Sequence, residues 1–265
     1  MPQFAANLSM LYGEHDFLDR FAAAAKDGFR GVEYLFPYAF KKEVLAEALQ
    51  ANGLTQVLHN MPPGDWDAGE RGIACLPDRI GEFQDGVGTA IDYARTLGSK
   101  QLHVMAGLRP EGVDPARLDE TYIENLRFAA AKTKEAGIKL LIEAINTIDM
   151  PGFYLSTSAQ AFAVIESVGA DNLYFQYDIY HMQIMEGDLV RTMEANLAKI
   201  AHMQLADNPG RHEPGSGEIN YPFVFEALDR MGYKGWIGCE YKPKAGTTEG
   251  LGWLRPYLSA SAAAE

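Results

Sequence analysis

Eight short apolar runs, each followed by a longer segment with helical spacing, predict a single-domain α/β fold, the (β/α)8 or TIM barrel. The 265 residues divide into repeats of roughly 33, the length of one strand and one helix, and no shift in composition marks a domain boundary. A doubly wound open sheet is the rival architecture. It would place a glycine-rich phosphate turn after its first strand, where this chain has Asn7, Leu8, Ser9 and Met10. The barrel is expected over 1–258, with a disordered tail at 259–265.

The first strand is expected at 4–6. Behind it, Phe17, Leu18, Phe21, Ala22 and Ala25 give a helix one apolar face. Strands two and three are expected at 31–34 and 55–59. After a long loop at 60–79 comes the stripe Ile80, Phe83, Val87, Ala90, Ile91, Ala94 and Leu97. Strand four, at 101–105, precedes a helix marked by Ile123, Leu126, Ala130 and Thr133. Strands five to eight are expected at 139–143, 173–178, 200–205 and 236–240, with a second long loop at 206–221. Gly28, Gly53, Gly98 and Gly137 each stand at a helix end just before a strand, where the chain needs a left-handed residue. Loops as long as 60–79 and 206–221 are usually functional, and Trp66, Glu70 and Arg71 suit a lid or binding loop.

Composition narrows the function classes. Hydrophobic residues make up 47% of the chain, enough for a core, which excludes a disordered or fibrous protein. The net charge of −13, with Lys41 and Lys42 the one adjacent basic pair, argues against a nucleic-acid partner. No apolar run reaches membrane-spanning length and no secretory signal is expected, so the cytoplasm is the default compartment. Two cysteines make no disulfide framework. Without a secretory signal, the Asn7-Leu8-Ser9 glycosylation match is read as chance.

A parallel barrel gathers the C-terminal ends of its strands at one mouth. Strands five to eight bring Glu143, Asp178, Gln204 and Glu240 to that level, separated by 35, 26 and 36 residues, about one repeat each. Two Glu, one Asp and an amide oxygen make an all-oxygen set suited to Mg²⁺ or Mn²⁺ rather than Zn²⁺. Three crowded carboxylates would otherwise raise one another's pKa values, a conflict that a cation removes. A single strand-end carboxylate is as readily a helix cap or an ion-pair partner; four in register favour a metal site.

His181, three residues past Asp178, is placed to hydrogen-bond a substrate or support a metal ligand. His59, at the end of strand three, is a weaker candidate for substrate contact. His202 shares its parity with Gln204 and reads as a satisfied histidine inside the barrel. Arg211 can reach an anionic substrate from the 206–221 loop, with a pair to Glu213 or Glu218 as the alternative, and Lys242 is a similar candidate. Cys239 points away from the mouth, and neither a Gly-x-Ser-x-Gly elbow nor a His-Glu-x-x-His helix is present.

Two carboxylates facing each other across a metal can move a proton between adjacent carbons, one taking it and the other returning it. That is aldose–ketose isomerisation or epimerisation, with Glu143 and Glu240 as the natural pair. The segments FAANLSMLYGE, GFRGVEYLFPY, PPGDWDAGERGIA, QYDIYHMQIMEGDL, ADNPGRHEPGSGEINY and GWIGCEYKP together resemble the hydroxypyruvate isomerases of the xylose-isomerase-like barrel superfamily, over nearly the whole chain. The resemblance implies a metal at Glu143, Asp178, Gln204 and Glu240. It also implies proton transfer by Glu143 and Glu240, and substrate contacts at His181 and Arg211. Related sugar 3-epimerases carry His where this chain has Gln204, which argues against that activity. Among relatives, QLHVMAG and TTEGLGW lean towards 2-oxo-tetronate isomerases. HNMPPGDW, YDIYHMQ and LADNPGR lean towards enzymes interconverting hydroxypyruvate and tartronate semialdehyde, which is the preferred reading. The expected partner is thus a small carboxylate, and association into a homo-oligomer is left open. A metal-dependent endonuclease of the same barrel type, or a non-catalytic sugar sensor, are the readings from other classes.

Overall fold

All eight expected strands form in the computed structural model, which describes residues 2–261. They are β1 (Gln3–Asn7), β2 (Gly31–Tyr34), β3 (Thr55–Asn60), β4 (Gln101–Val104), β5 (Lys139–Glu143), β6 (Leu173–Asp178), β7 (Ile200–Leu205) and β8 (Trp236–Cys239). Each pairs in parallel with its neighbour in the chain, and β1 closes the ring on β8. Five ends differ from expectation: β1 is one residue longer at each end, β3 runs on to Asn60, β4 stops at Val104, and β8 stops at Cys239, so Glu240 is the first residue beyond its strand.

The outer layer is α1 (Asp19–Lys26), α2 (Lys42–Ala51), α3 (Ile80–Leu97), α4 (Pro115–Glu135), α5 (Ser158–Val168), α6 (Ile179–Met185), α7 (Leu189–Asn196) and α8 (Tyr221–Met231), followed by α9 (Thr247–Gly250) and α10 (Arg255–Ser261). Gly28, Gly53, Gly98 and Gly137 all have positive φ, as helix-ending residues should. Two stripes need correction. On α1 the buried residues are Phe21 and Ala24, one turn apart, while Leu18 lies ahead of the helix and Ala22 is turned about 100° from Phe21, so both are exposed. On α3 the stripe begins at Phe83; Ile80, the first helical residue, is exposed. Of the expected tail, 259–261 continue α10, and 262–265 lie outside the described residues.

The interior of the barrel divides into an apolar plug and a polar level above it. Ala5, Val57, Leu58 and Leu141 form the plug, with Tyr174, Ala201 and Trp236 packed against it. Towards the strand C-termini the interior carries buried Asn7, Glu33, His103, Gln176 and His202. Gly238 makes this level possible, because a Cβ there would collide with the Glu33 carboxylate.

Both long loops are tied down. In 60–79, Met61 and Cys75 donate their backbone N–H groups to the carbonyls of His103 and Ala106, each at 2.8 Å. Arg79 pairs with Glu70 at 2.6 Å, and Trp66 lies against Phe36 and under the Arg71 guanidinium, 4.0 Å from its ring centre. In 206–221 the buried Asp207 carboxylate accepts from the backbone N–H groups of Asn208, Gly215, Gly217 and Ile219 at 2.8–3.0 Å. One anion gathers the loop and delivers Arg211 over the mouth.

Candidate active site

Asp178 ends β6 and caps α6. Its Oδ1 accepts from the backbone N–H groups of Tyr180 (2.8 Å) and His181 (3.3 Å), as a short acceptor side chain does at a helix start. The other oxygen, Oδ2, is buried and has no hydrogen-bond partner among the described residues. The first turn of α6 carries His181 back over the mouth, with Nε2 3.6 Å from Asp178 Oδ2 and 3.9 Å from Glu143 Oε1. Glu143, the last residue of β5, also has Oε2 3.6 Å from His103 Nε2. Glu143, Asp178 and His181 each present one ligand atom, all within 4.8 Å of one another.

A second cluster adjoins the first. Gln204 on β7 donates its amide N–H bonds to Glu240 Oε2 (2.6 Å) and Glu33 Oε1 (2.8 Å). Asn7 makes the same bridge at 3.1 and 3.0 Å. The Gln204 oxygen accepts from Gln176 (2.7 Å), so in this arrangement Gln204 is a donor between two carboxylates; a half-turn of the amide would offer oxygen instead. Arg211 joins the clusters. Its guanidinium donates to Glu240 Oε1 (2.8 Å), reaches within 3.6 Å of Asp149 and 3.4 Å of His181 Nε2, and lies over the Tyr180 ring. Its backbone is left-handed (φ 53°), a strained state for a non-glycine residue that the Asp207 loop maintains.

Glu143, Asp178, Gln204, Glu240, His181 and Arg211 therefore converge. His59 does not: Asn60, one residue on, faces the interior and meets His103 (3.1 Å), so His59 points into the helical layer beside the Tyr38 ring. Lys242 is exposed and meets the site through its backbone, donating to the Arg211 carbonyl (2.8 Å). His202 lies inside the barrel as expected, but it is only half satisfied: Nε2 is 2.7 Å from Glu33, while the buried Nδ1 has no partner among the described residues. Reading strand ends five to eight missed Asn7, Glu33 and His103 on the early strands. The signal for Glu33 was a carboxylate set in an apolar strand, GVEY.

Burial dominates the electrostatics. It pushes Glu240 up to about 8 against the opposing pull of Arg211, and Asp178 up to about 6. Glu143 is held well above the ordinary carboxylate range by burial, then by Glu240 and Asp178. Burial drives His103 down to about 3, His59 to about 4, and His181 well below its usual value, so all three imidazoles are neutral. A stability profile follows from the signs. Raised carboxylates make the folded state bind more protons than the unfolded chain, so stability falls as pH rises through their folded values. Buried neutral histidines act the other way, but only below about 6.5, where the unfolded chain takes up protons. Between about pH 6.5 and 8 the glutamates act unopposed by those histidines. The melting temperature of protein kept in chelator should fall across that window, and saturating Mg²⁺ should flatten the fall. A rise in chelator would contradict the assignment.

The donors fit a hard divalent cation. Glu143 Oε1 and Asp178 Oδ2 are buried acceptors without partners among the described residues, and the two side chains form with His181 a group whose ligand atoms lie within 4.8 Å of one another.

A family profile described as the xylose isomerase-like TIM barrel matches residues 21–257. The chain is 56% identical to the 2-oxo-tetronate isomerase of Cupriavidus necator, over 97% of this chain and 99% of that one. It is 53% identical to the hydroxypyruvate isomerase of Escherichia coli, over 97% of this chain and all of the other. A crystal structure described as an AP endonuclease, family 2, from Brucella melitensis superposes with a TM-score of 0.95 at 49% identity, covering 97% of this chain and 99% of that one.

Proposed function

The chain belongs to the xylose isomerase-like TIM barrel family, and from that premise we propose that it is an isomerase interconverting hydroxypyruvate and tartronate semialdehyde (2-hydroxy-3-oxopropanoate). The observation that carries the reading is the pair of buried glutamates, Glu143 and Glu240, both raised in pKa, on either side of a mouth that also holds Arg211 and His181. A general acid or base works best with a pKa near the operating pH, and an unperturbed carboxylate is too acidic for that task. One glutamate takes the proton from the hydroxyl-bearing carbon to give an enediolate, and the other returns a proton to the neighbouring carbon. A divalent cation, for which we propose Mg²⁺ or Mn²⁺ at Glu143, Asp178, Gln204 and Glu240, supplies polarisation of the carbonyl and the adjacent hydroxyl.

Arg211 receives the substrate carboxylate with its planar fork, and His181 contacts a substrate oxygen. Arg211→Gln should raise KM about 10–100-fold, the value of one or two charge-assisted hydrogen bonds, with a smaller change in kcat. An unchanged KM would remove Arg211 from substrate binding. His59 and Lys242, the other sequence candidates, lack geometry that supports such a contact.

A second reading, 2-oxo-tetronate isomerisation, is favoured by the 56% identity to the Cupriavidus necator enzyme. Side-by-side turnover of hydroxypyruvate and 2-oxo-tetronates by the purified protein separates the two: a higher kcat/KM for the four-carbon acid overturns the first. The net charge of −13 counts against a nucleic-acid substrate. No helix among the described residues is long and apolar enough to cross a membrane. Both cysteines are buried and free, as suits a reducing compartment, and this supports a cytoplasmic location.

A further inference from the structure

We propose that Asn146 is a positioning residue that fixes His181 in its Nε2–H tautomer, so that the imidazole presents a hydrogen-bond donor to a substrate oxygen and leaves cation binding to the oxygen ligands. Asn146 follows β5 by three residues and is fully buried. Its side-chain oxygen accepts from the backbone N–H groups of Ile148 (3.0 Å) and Asp149 (2.7 Å). Its nitrogen donates to Asp149 Oδ2 (3.2 Å) and stands 2.6 Å from His181 Nδ1. The amide cannot be reversed, because a flipped group would set NH₂ against two backbone donors and its oxygen against a carboxylate. Nδ1 of His181 must therefore accept, and a neutral imidazole then carries its proton on Nε2.

That proton faces Asp178 Oδ2 and Glu143 Oε1, both buried carboxylate oxygens without hydrogen-bond partners among the described residues. The competing contact, Arg211 to Nε2, is 3.4 Å long, and the same guanidinium nitrogen already donates to Glu240 at 2.8 Å. The shorter and fully satisfied partner decides. His181 stands close enough to Glu143 and Asp178 to complete a three-ligand cluster, but a protonated Nε2 has no lone pair to give a metal. Moving the proton to Nδ1 would set two donors against each other 2.6 Å apart.

The inference rests on the isomerase reading for the oxygen that His181 meets, but its test does not. Asn146→Asp is nearly isosteric and, once ionised, can only accept from Nδ1; read at alkaline pH, where the new carboxyl is ionised despite Asp149 Oδ2 beside it, it reverses the tautomer. The measurement is a long-range ¹H–¹⁵N spectrum of the Mg²⁺-loaded, ¹⁵N-histidine-labelled protein, with His181 assigned by its loss in His181→Gln. Wild type should show a protonated Nε2 and a bare Nδ1, and N146D should show the reverse. The kcat of N146D should fall about 10–100-fold, the usual cost of losing a partner that orients a site residue. N146A, should N146D not fold, should show a mixture of tautomers. A bare Nε2 in wild type, an unmoved tautomer in the variant, or a reversed tautomer with kcat within twofold of wild type would each overturn the proposal. If wild type turns over neither acid, the functional reading fails and the spectrum alone decides the role of Asn146.

Discussion

Glu143→Gln and Glu240→Gln are each expected to lower kcat about 10²–10⁴-fold, the range contributed by a positioned acid or base. Glutamine keeps the shape and polarity of the side chain but can neither take nor give the proton. The folds should survive. Glu240 accepts from Gln204, Asn7 and Arg211; a glutamine oxygen can keep the Arg211 bond, but its NH₂ then meets the Gln204 and Asn7 donors and those two bonds are lost. Glu143 Oε1 has no hydrogen bond to lose among the described residues. Removing the raised Glu143 carboxylate also removes a desolvation penalty, so metal-free Glu143→Gln should melt no lower than wild type, whereas Glu240→Gln takes the charged partner from buried Arg211 and should melt lower. Steady-state turnover with circular dichroism as the folding control makes the test. Activity within tenfold of wild type in either variant would withdraw that glutamate from proton transfer.

Asp178→Asn should weaken Mn²⁺ binding by more than the roughly 10–100-fold typical of losing an outer partner, since it removes a direct charged ligand. The two oxygens of Asp178 do different work. Oδ1 caps α6, whereas Oδ2 faces the mouth without a partner. Asparagine retains a capping oxygen and replaces Oδ2 with an amide nitrogen that cannot ligate. Asp178→Ala loses both functions, and should add the loss of a helix cap, about 0.5–2 kcal/mol, to the same metal defect. Titration of Mn²⁺ into the stripped proteins, beside their thermal melts, separates the two roles. Unchanged affinity in Asp178→Asn would remove Asp178 from the metal site.

The barrel was legible because alternating apolar runs and helix-ending glycines are local signals, and all eight strands fall within two residues of where those signals put them. That Glu143, Asp178, Gln204 and Glu240 lie near one another was legible for a related reason: parallel strands of one repeat length deliver the residues at or next to their C-terminal ends to one level. What depended on side-chain direction was less so. His59 and Asn60 are adjacent, and the ladder between β2 and β3 slips by one residue at Val32/Glu33, so which of the two faces inward could not be read from the run itself. Residue type also does not say which end of an amide meets a neighbour, as Gln204 shows. The strained backbone of Arg211 and the link from Asn146 to His181 belong to loops whose course is set by tertiary hydrogen bonds, with no periodicity to announce them.

Running the isomerisation in D₂O tests the two-glutamate transfer most directly. Where one glutamate removes the proton and a different one supplies its replacement, the supplied proton comes from solvent, so the product should carry about one deuterium at the receiving carbon after a single turnover. Complete retention of the substrate hydrogen over many turnovers would mean a hydride shift or a single shielded base, and would contradict separate acid and base roles for Glu143 and Glu240.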